Sequence, residues 1–190
     1  GTNTTIFNGI TNQILTVNLA SPLNLNKLTI DKPAGKTLTI SGSQEQLNVN
    51  SDFNLTLATL LDNAKNILIA GNVFNSGIHS GTGKIQLNGT LVQTIDGGGT
   101  FGNLELFNTN AAVDPVSLLS NISTDGTLTF ANDKIVNLGT YNLMLNANAG
   151  FANASSVRYA RTAGNAGDGG ISKVFSTPGA FVFPVGVANY

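Results

Sequence analysis

Short triplets with apolar ends recur along the chain: Leu28-Thr29-Ile30, Leu47-Asn48-Val49, Ile67-Leu68-Ile69, Ile85-Gln86-Leu87, Leu104-Glu105-Leu106, Ile122-Ser123-Thr124 and Leu143-Met144-Leu145. Their first residues lie 19, 20, 18, 19, 18 and 21 positions apart, close to the ~20-residue lower end of solenoid repeats. The first position is always Leu or Ile, and the third is apolar in every copy but that of Thr124. Polar residues fill most middle positions. Alternation with a period of two presents one face of a strand to a core, so the triplet ends form an expected core ladder. Asp31, Asn50, Asn88, Asp125 and Asn146 follow the triplets, where their side chains suit a turn. Asn66, Asn103, Asn121 and Asn142 precede them and form an expected Asn ladder, as stacked amides do in other layered β structures.

Between the triplets runs a second series: Leu15-Thr16-Val17, Leu38-Thr39-Ile40, Leu55-Thr56-Leu57, Val73-Phe74, Leu91-Val92 and Leu128-Thr129-Phe130. The gaps hold Asn, Gly, Thr and Ser, all poor helix formers. Only Ala58–Asn66 offers room for a helical turn. The pattern predicts an all-β right-handed parallel β-helix of about seven rungs of ~19 residues, because a coil places each position over its own copy. The hexad of small residues that a left-handed helix needs is not found. A β-sandwich, which regularly spaced strands also suit, is the alternative.

The repeat spans residues 1–146. Beyond it, 147–190 reads as a cap within the same domain. Ala163–Gly170 is a loop by composition, and Ile171–Phe175 and Ala180–Val187 read as a hairpin turning at Pro178-Gly179. Such a cap covers the open edge of a solenoid.

Composition narrows the function. Charged residues make up 10% of the 190, against about 25% in an ordinary domain, and 26 Asn, 21 Thr and 22 Gly take their place. A formal net charge of −1 leaves no basic footprint for nucleic acid. No apolar run approaches the ~18 residues of a membrane-spanning helix. Cysteine is absent, which removes disulfides and thiolate metal sites. The chain begins at Gly1 without a leader and reads as a piece of a longer protein.

Two stretches carry a resemblance. Gly89–Leu106, with Gln93-Thr94-Ile95, a Gly97-Gly98-Gly99 turn and Phe101-Gly102-Asn103-Leu104-Glu105-Leu106, resembles a recurrent pattern of large secreted surface proteins of Bacteroidetes. Gly169–Val174 followed by Phe181–Gly186 is similar to the segment that closes such repeats. The resemblance implies export by the type IX secretion route to the outer face of a Gram-negative cell. It also implies a role as an adhesin, gliding-motility surface protein or carrier of further modules.

The chemistry-bearing residues are sparse. His79, the only histidine, has no acid within ten residues before it and reads as an exposed turn residue, not a general base. Adjacent coils lie about 4.8 Å apart, so stacked acids meet the roughly 5–10 Å spacing of a glycosidase pair. Asp96 with Asp114 and Asp125 with Asp133 are the pairs to consider. Glu45 and Glu105 fall in different columns, and both arginines, Arg158 and Arg161, lie beyond the repeats. Asp96-Gly97-Gly98-Gly99 and Asp168-Gly169-Gly170 have a calcium-loop look, but their Asp does not recur at a short fixed period. Thr37-Leu38-Thr39 and Thr127-Leu128-Thr129 have the Thr-x-Thr form of water-ordering faces without recurring in register. Phe53, Phe74, Phe101 and Phe130 read as core, and Tyr141, Tyr159 and Tyr190 as the more exposed aromatics.

The sequence therefore predicts no enzyme, no metal and no cofactor. It predicts a structural or adhesive rod of a secreted surface protein, with surface glycans, other cell-surface proteins and the export machinery as partners. A carbohydrate-binding module and a polysaccharide lyase or glycosidase on the same fold are the alternatives.

Overall fold

The computed structural model describes residues 3–187. Its strands assemble into three parallel sheets of nine, eight and seven strands, and successive strands of the chain pass from the first sheet to the second to the third. The result is a β-solenoid of about eight turns, a parallel β-helix with no α-helix among the described residues. The expected seven rungs fall slightly short of this count. Ala58–Asn66 holds a strand, Thr59–Leu61, and a turn with positive φ at Asn63 and Ala64 instead of a helical turn.

Each coil carries three strands, not two, so the period differs from the nineteen residues read along the chain. Register steps run from 18 residues (Ile67 to Ile85) to 28 (Leu143 to Ile171). The expected ladder is correspondingly redistributed. Leu47, Ile67, Ile85 and Leu104 do lie over one another in the third sheet. Leu28 sits in the first sheet, while Ile122 and Leu143 pair in the second. The true partner below Leu47 is Leu23, and the one above Leu104 is Leu128. The long corner between Asn103–Leu106 and Val116–Leu118 explains the slip. It lengthens that coil, and a constant step lands one strand early.

All thirteen ladder residues are nonetheless inside. Leu28, Ile30, Leu47, Val49, Ile67, Ile69, Ile85, Leu87, Leu104, Leu106, Ile122, Leu143 and Leu145 belong to one continuous buried cluster. Parity along each strand is enough to send a residue inward, whichever sheet the strand joins. Full burial of such a side chain stabilises by roughly 1.5–3 kcal/mol. Leu91 and Val92 depart from this, being exposed in a corner just before the strand Gln93–Asp96.

The Asn ladder is divided. Asn142 lies over Asn121 beside the second sheet, and Asn121 Oδ1 accepts the Asn142 backbone N–H at 2.8 Å. Asn66 and Asn103 belong to the third sheet and are separated there by Lys84.

Residues 147–187 do not form a hairpin cap. Ile171–Lys173 pairs parallel with Leu143–Leu145, and Val185–Val187 pairs parallel with Ala160–Thr162. The winding simply continues through the segment. Its core becomes aromatic, with Phe130 and Phe151 stacked at 6.1 Å and Phe151 packed on Phe181 at 6.1 Å.

Candidate functional site

The strand Ile78–Ser80 pairs with Thr59–Leu61 so that His79 lies over Leu60, which itself lies over Leu38. The imidazole thus occupies an inward position of an aliphatic column. It is fully buried, and so is Asp62. His79 Nε2 is 3.0 Å from Asp62 Oδ2, and its Nδ1 accepts the backbone N–H of Gly102 at 3.2 Å. Since Nδ1 is an acceptor, the ring proton sits on Nε2 and is donated to the carboxylate. Asp62 Oδ1 takes two further donors, the N–H groups of Ala64 at 2.8 Å and Gly83 at 3.0 Å. Three donors supply what a buried carboxylate loses with its water.

This corrects the reading of His79 as an exposed turn residue. The segment is a strand, Ile78–Ser80, in which Ile78 is half-exposed and His79 faces in. The acid partner comes from one coil earlier, 17 residues upstream, where no local motif reveals it. The backbone closes over the pair at Gly81, whose φ is +116° and where a Cβ would lie 2.1 Å from Asp62 Oδ1. A His–Asp couple is a familiar general-base arrangement, yet with both groups sealed it can only tie coils together. It joins the strand of His79 to Asp62 of the preceding coil and Gly102 of the following one.

Similar ties occur at the corners, where turning backbone leaves carbonyls outside the ladders. Lys173 Nζ donates to the carbonyls of Asn146, Ala147 and Ala149 at 2.7–2.8 Å. Lys134 Nζ reaches those of Asn110 and Ala112. Buried Lys32 donates to Gly9 O and Gln13 Oε1, both at 2.7 Å. Buried Gln93 accepts from Gly89 N–H and Asn108 Nδ2, and donates to the carbonyls of Ile69 and Gly71. Buried backbone groups need such partners. Nothing in the local sequence pattern distinguishes these side chains from solvated ones.

The acids are committed elsewhere, one by one. Asp96 accepts the N–H of Gly97, whereas Asp114 pairs with Arg161. Asp125 accepts from Asn146 and Asp133 pairs with Arg158. Glu45 pairs with Lys65 and Glu105 with Lys84. Among the described residues, no group of three or more His, Cys, Asp or Glu is placed to hold a metal ion. The two Thr-x-Thr segments lie on different sheets, Thr37–Ser41 on the second and Thr127–Phe130 on the third.

The outer faces differ in character. On the second sheet, Thr37, Thr59, Ile78, Thr100 and Ser123 form an uncharged outward column, continued by Met144 and Ser172. Gly98, Asn121, Asn142 and Met144 border an open groove of about 390 Å³ at its edge. On the first sheet, Thr29, Asn54, Phe74 and Asp96 stack in one column. The Phe74 ring, expected in the core, is 39% exposed, while Phe53, Phe101 and Phe130 are fully buried. Phe74 follows Val73, which takes the inward position of the strand Val73–Asn75, and parity therefore turns the ring outward. Tyr141 and Tyr159 are half-buried, and Tyr190 lies outside the described residues.

Compared with known proteins, the chain matches no family model, no curated protein and no solved structure.

Proposed function

We propose that this solenoid is a non-catalytic structural and adhesive segment of a large secreted bacterial cell-surface protein, a stiff rod that presents weak contacts along its flanks. The observation that carries this reading is the tying of coil to coil at every level. Three parallel ladders run through the stack, a single apolar cluster fills it, and the buried Asp62, His79 and Gln93 bond from coil to coil. A body built this way resists local opening, because every strand between the end coils is paired on both sides and packed on the core. Its outer columns of Thr, Ser and Asn carry few charges, so contacts made through them are little affected by salt.

The bacterial-surface part of the reading rests on the resemblance of Gly89–Leu106 and Gly169–Gly186 to the repeats of such proteins. In the fold, the first of these segments covers a corner and three successive strands, close to one coil. Two measurements test the proposal. Small-angle scattering of the isolated segment should give an elongated particle. The purified segment should also compete with whole cells of the source bacterium for attachment to a surface, independently of salt. Release of unsaturated oligosaccharides from pectin or alginate by the segment would replace the rod reading with an enzymatic one.

A further inference from the structure

We propose that the outer face of the first sheet around Phe74 is a binding site for a neutral hexopyranose unit of a surface polysaccharide. The inference rests on the rod reading, and names the ligand for one of the contacts the rod presents.

The site is built by register. Phe74 lies over Asn54 and under Asp96, about 4.8 Å from each along the stack. Its ring is thus flanked on two sides by hydrogen-bonding groups. Beside this column runs a second one, in which Asp52 Oδ1 accepts the N–H of Asn72 at 3.0 Å and Asn72 Oδ1 accepts that of Thr94 at 2.9 Å. The second bond fixes the carbonyl end of the Asn72 amide, and its Nδ2 makes no hydrogen bond among the described residues. Asp96 Oδ1 accepts from Gly97, leaving Oδ2. The Asn54 side chain makes no hydrogen bond among the described residues. An open cavity of about 180 Å³ is lined by Phe74 with Asp52, Asn54, Asn72, Thr94 and Asp96, together with Val73 and Leu119.

These groups match a sugar ring and little else. An aromatic face offers an apolar platform for the C–H side of a pyranose. The Asn54 amide below the ring donates to and accepts from hydroxyls at the sugar's edge, and Asp96 Oδ2 above it accepts from them. The cavity is smaller than the roughly 300–1,000 Å³ of pockets that enclose a whole small molecule. It suits one ring lying flat, as in a polymer that continues past the site. Lining residue Asp52 is paired with Lys27 at 3.5 Å, and no residue that lines the cavity is a cation that could hold an acidic sugar.

Affinity electrophoresis of the folded segment through gels containing dextran, mannan or galactan tests the proposal. At least one of these uncharged polymers should retard the protein. The apparent dissociation constant for that polymer should rise by about tenfold or more, a loss of about 1.4 kcal/mol, in both Phe74→Ala and Asn54→Ala. Phe107→Ala removes an equally exposed ring outside this face and should bind as the unaltered protein does. Asn54→Ala leaves the core untouched, so it keeps the test valid if Phe74→Ala misfolds. Absence of retardation in all three gels overturns the site, as does retardation that survives both substitutions. Either result would stand beside an elongated scattering profile without disturbing the rod reading, whereas a compact profile would sink the rod and not the site.

Discussion

The Nε2–H of His79 is donated to Asp62 Oδ2 across 3.0 Å, with neither side chain reaching solvent. The bond crosses from one coil to the next in the middle of the stack. Together with the Gly102 N–H on Nδ1, it replaces an aliphatic layer by a polar one that holds three coils in register.

Removing the acid should therefore be expensive. Asp62→Ala strips acceptors from Ala64 N–H, Gly83 N–H and the imidazole at once. Breaking a buried pair in this way costs about 3–5 kcal/mol. Urea denaturation of Asp62→Ala, His79→Leu and the double variant should show coupling of about 1 kcal/mol or more between the two sites. Strict additivity would mean the pair is not a unit. Gly81→Ala forces a methyl group against the same carboxylate from a backbone with φ of +116°, and it should destabilise by more than about 1 kcal/mol, whereas an unstrained Gly→Ala replacement stabilises.

The apolar ladder makes a sharper contrast. Leu104 is buried between Ile85 and Leu128, while Glu105, its neighbour, faces outward to Lys84 and Gln86. Leu104→Asp places an unpaired charge inside and should prevent folding or cost more than about 4 kcal/mol. Glu105→Ala loses a partly screened ion pair and should cost about 1 kcal/mol or less. Thermal melts of the two variants decide this. Equal tolerance would reverse the inward and outward assignment.

Lys173 is the clearest corner tie. Lys173→Met keeps the length of the side chain but leaves the carbonyls of Asn146, Ala147 and Ala149 without their donor. Two of these carbonyls are part-buried and one is exposed, so the loss should lie toward the lower end of the about 1–3 kcal/mol for unsatisfied groups. Amide exchange should accelerate locally in the coil holding this corner, with the strands around Leu47 and Ile67 unaffected. Uniform acceleration through the chain would point to global destabilisation instead of a local tie.

The parts of this fold that were legible along the chain are those set by parity. Leu104 and Glu105, or Leu47 and Asn48, differ by one step, and one step moves a side chain from the interior to the surface. Phe74 shows where parity was misread, because it lies next to Val73 and only one of the two can face in, while at His79 the strand itself was missed and read as a turn. The division of the ladder into sheets was not legible. Leu28, Leu47 and Ile122 carry the same short pattern but belong to three different sheets.

The sequence by itself determined that the chain winds as parallel β coils around an aliphatic core, since that follows from alternation repeated at a solenoid period. Only the tertiary structure decided which strand stacks on which, that Asp62 meets His79, and that Asn54, Phe74 and Asp96 share a face. The reason is the corners. Their lengths vary from coil to coil, register accumulates those variations, and contacts between coils are fixed by register alone.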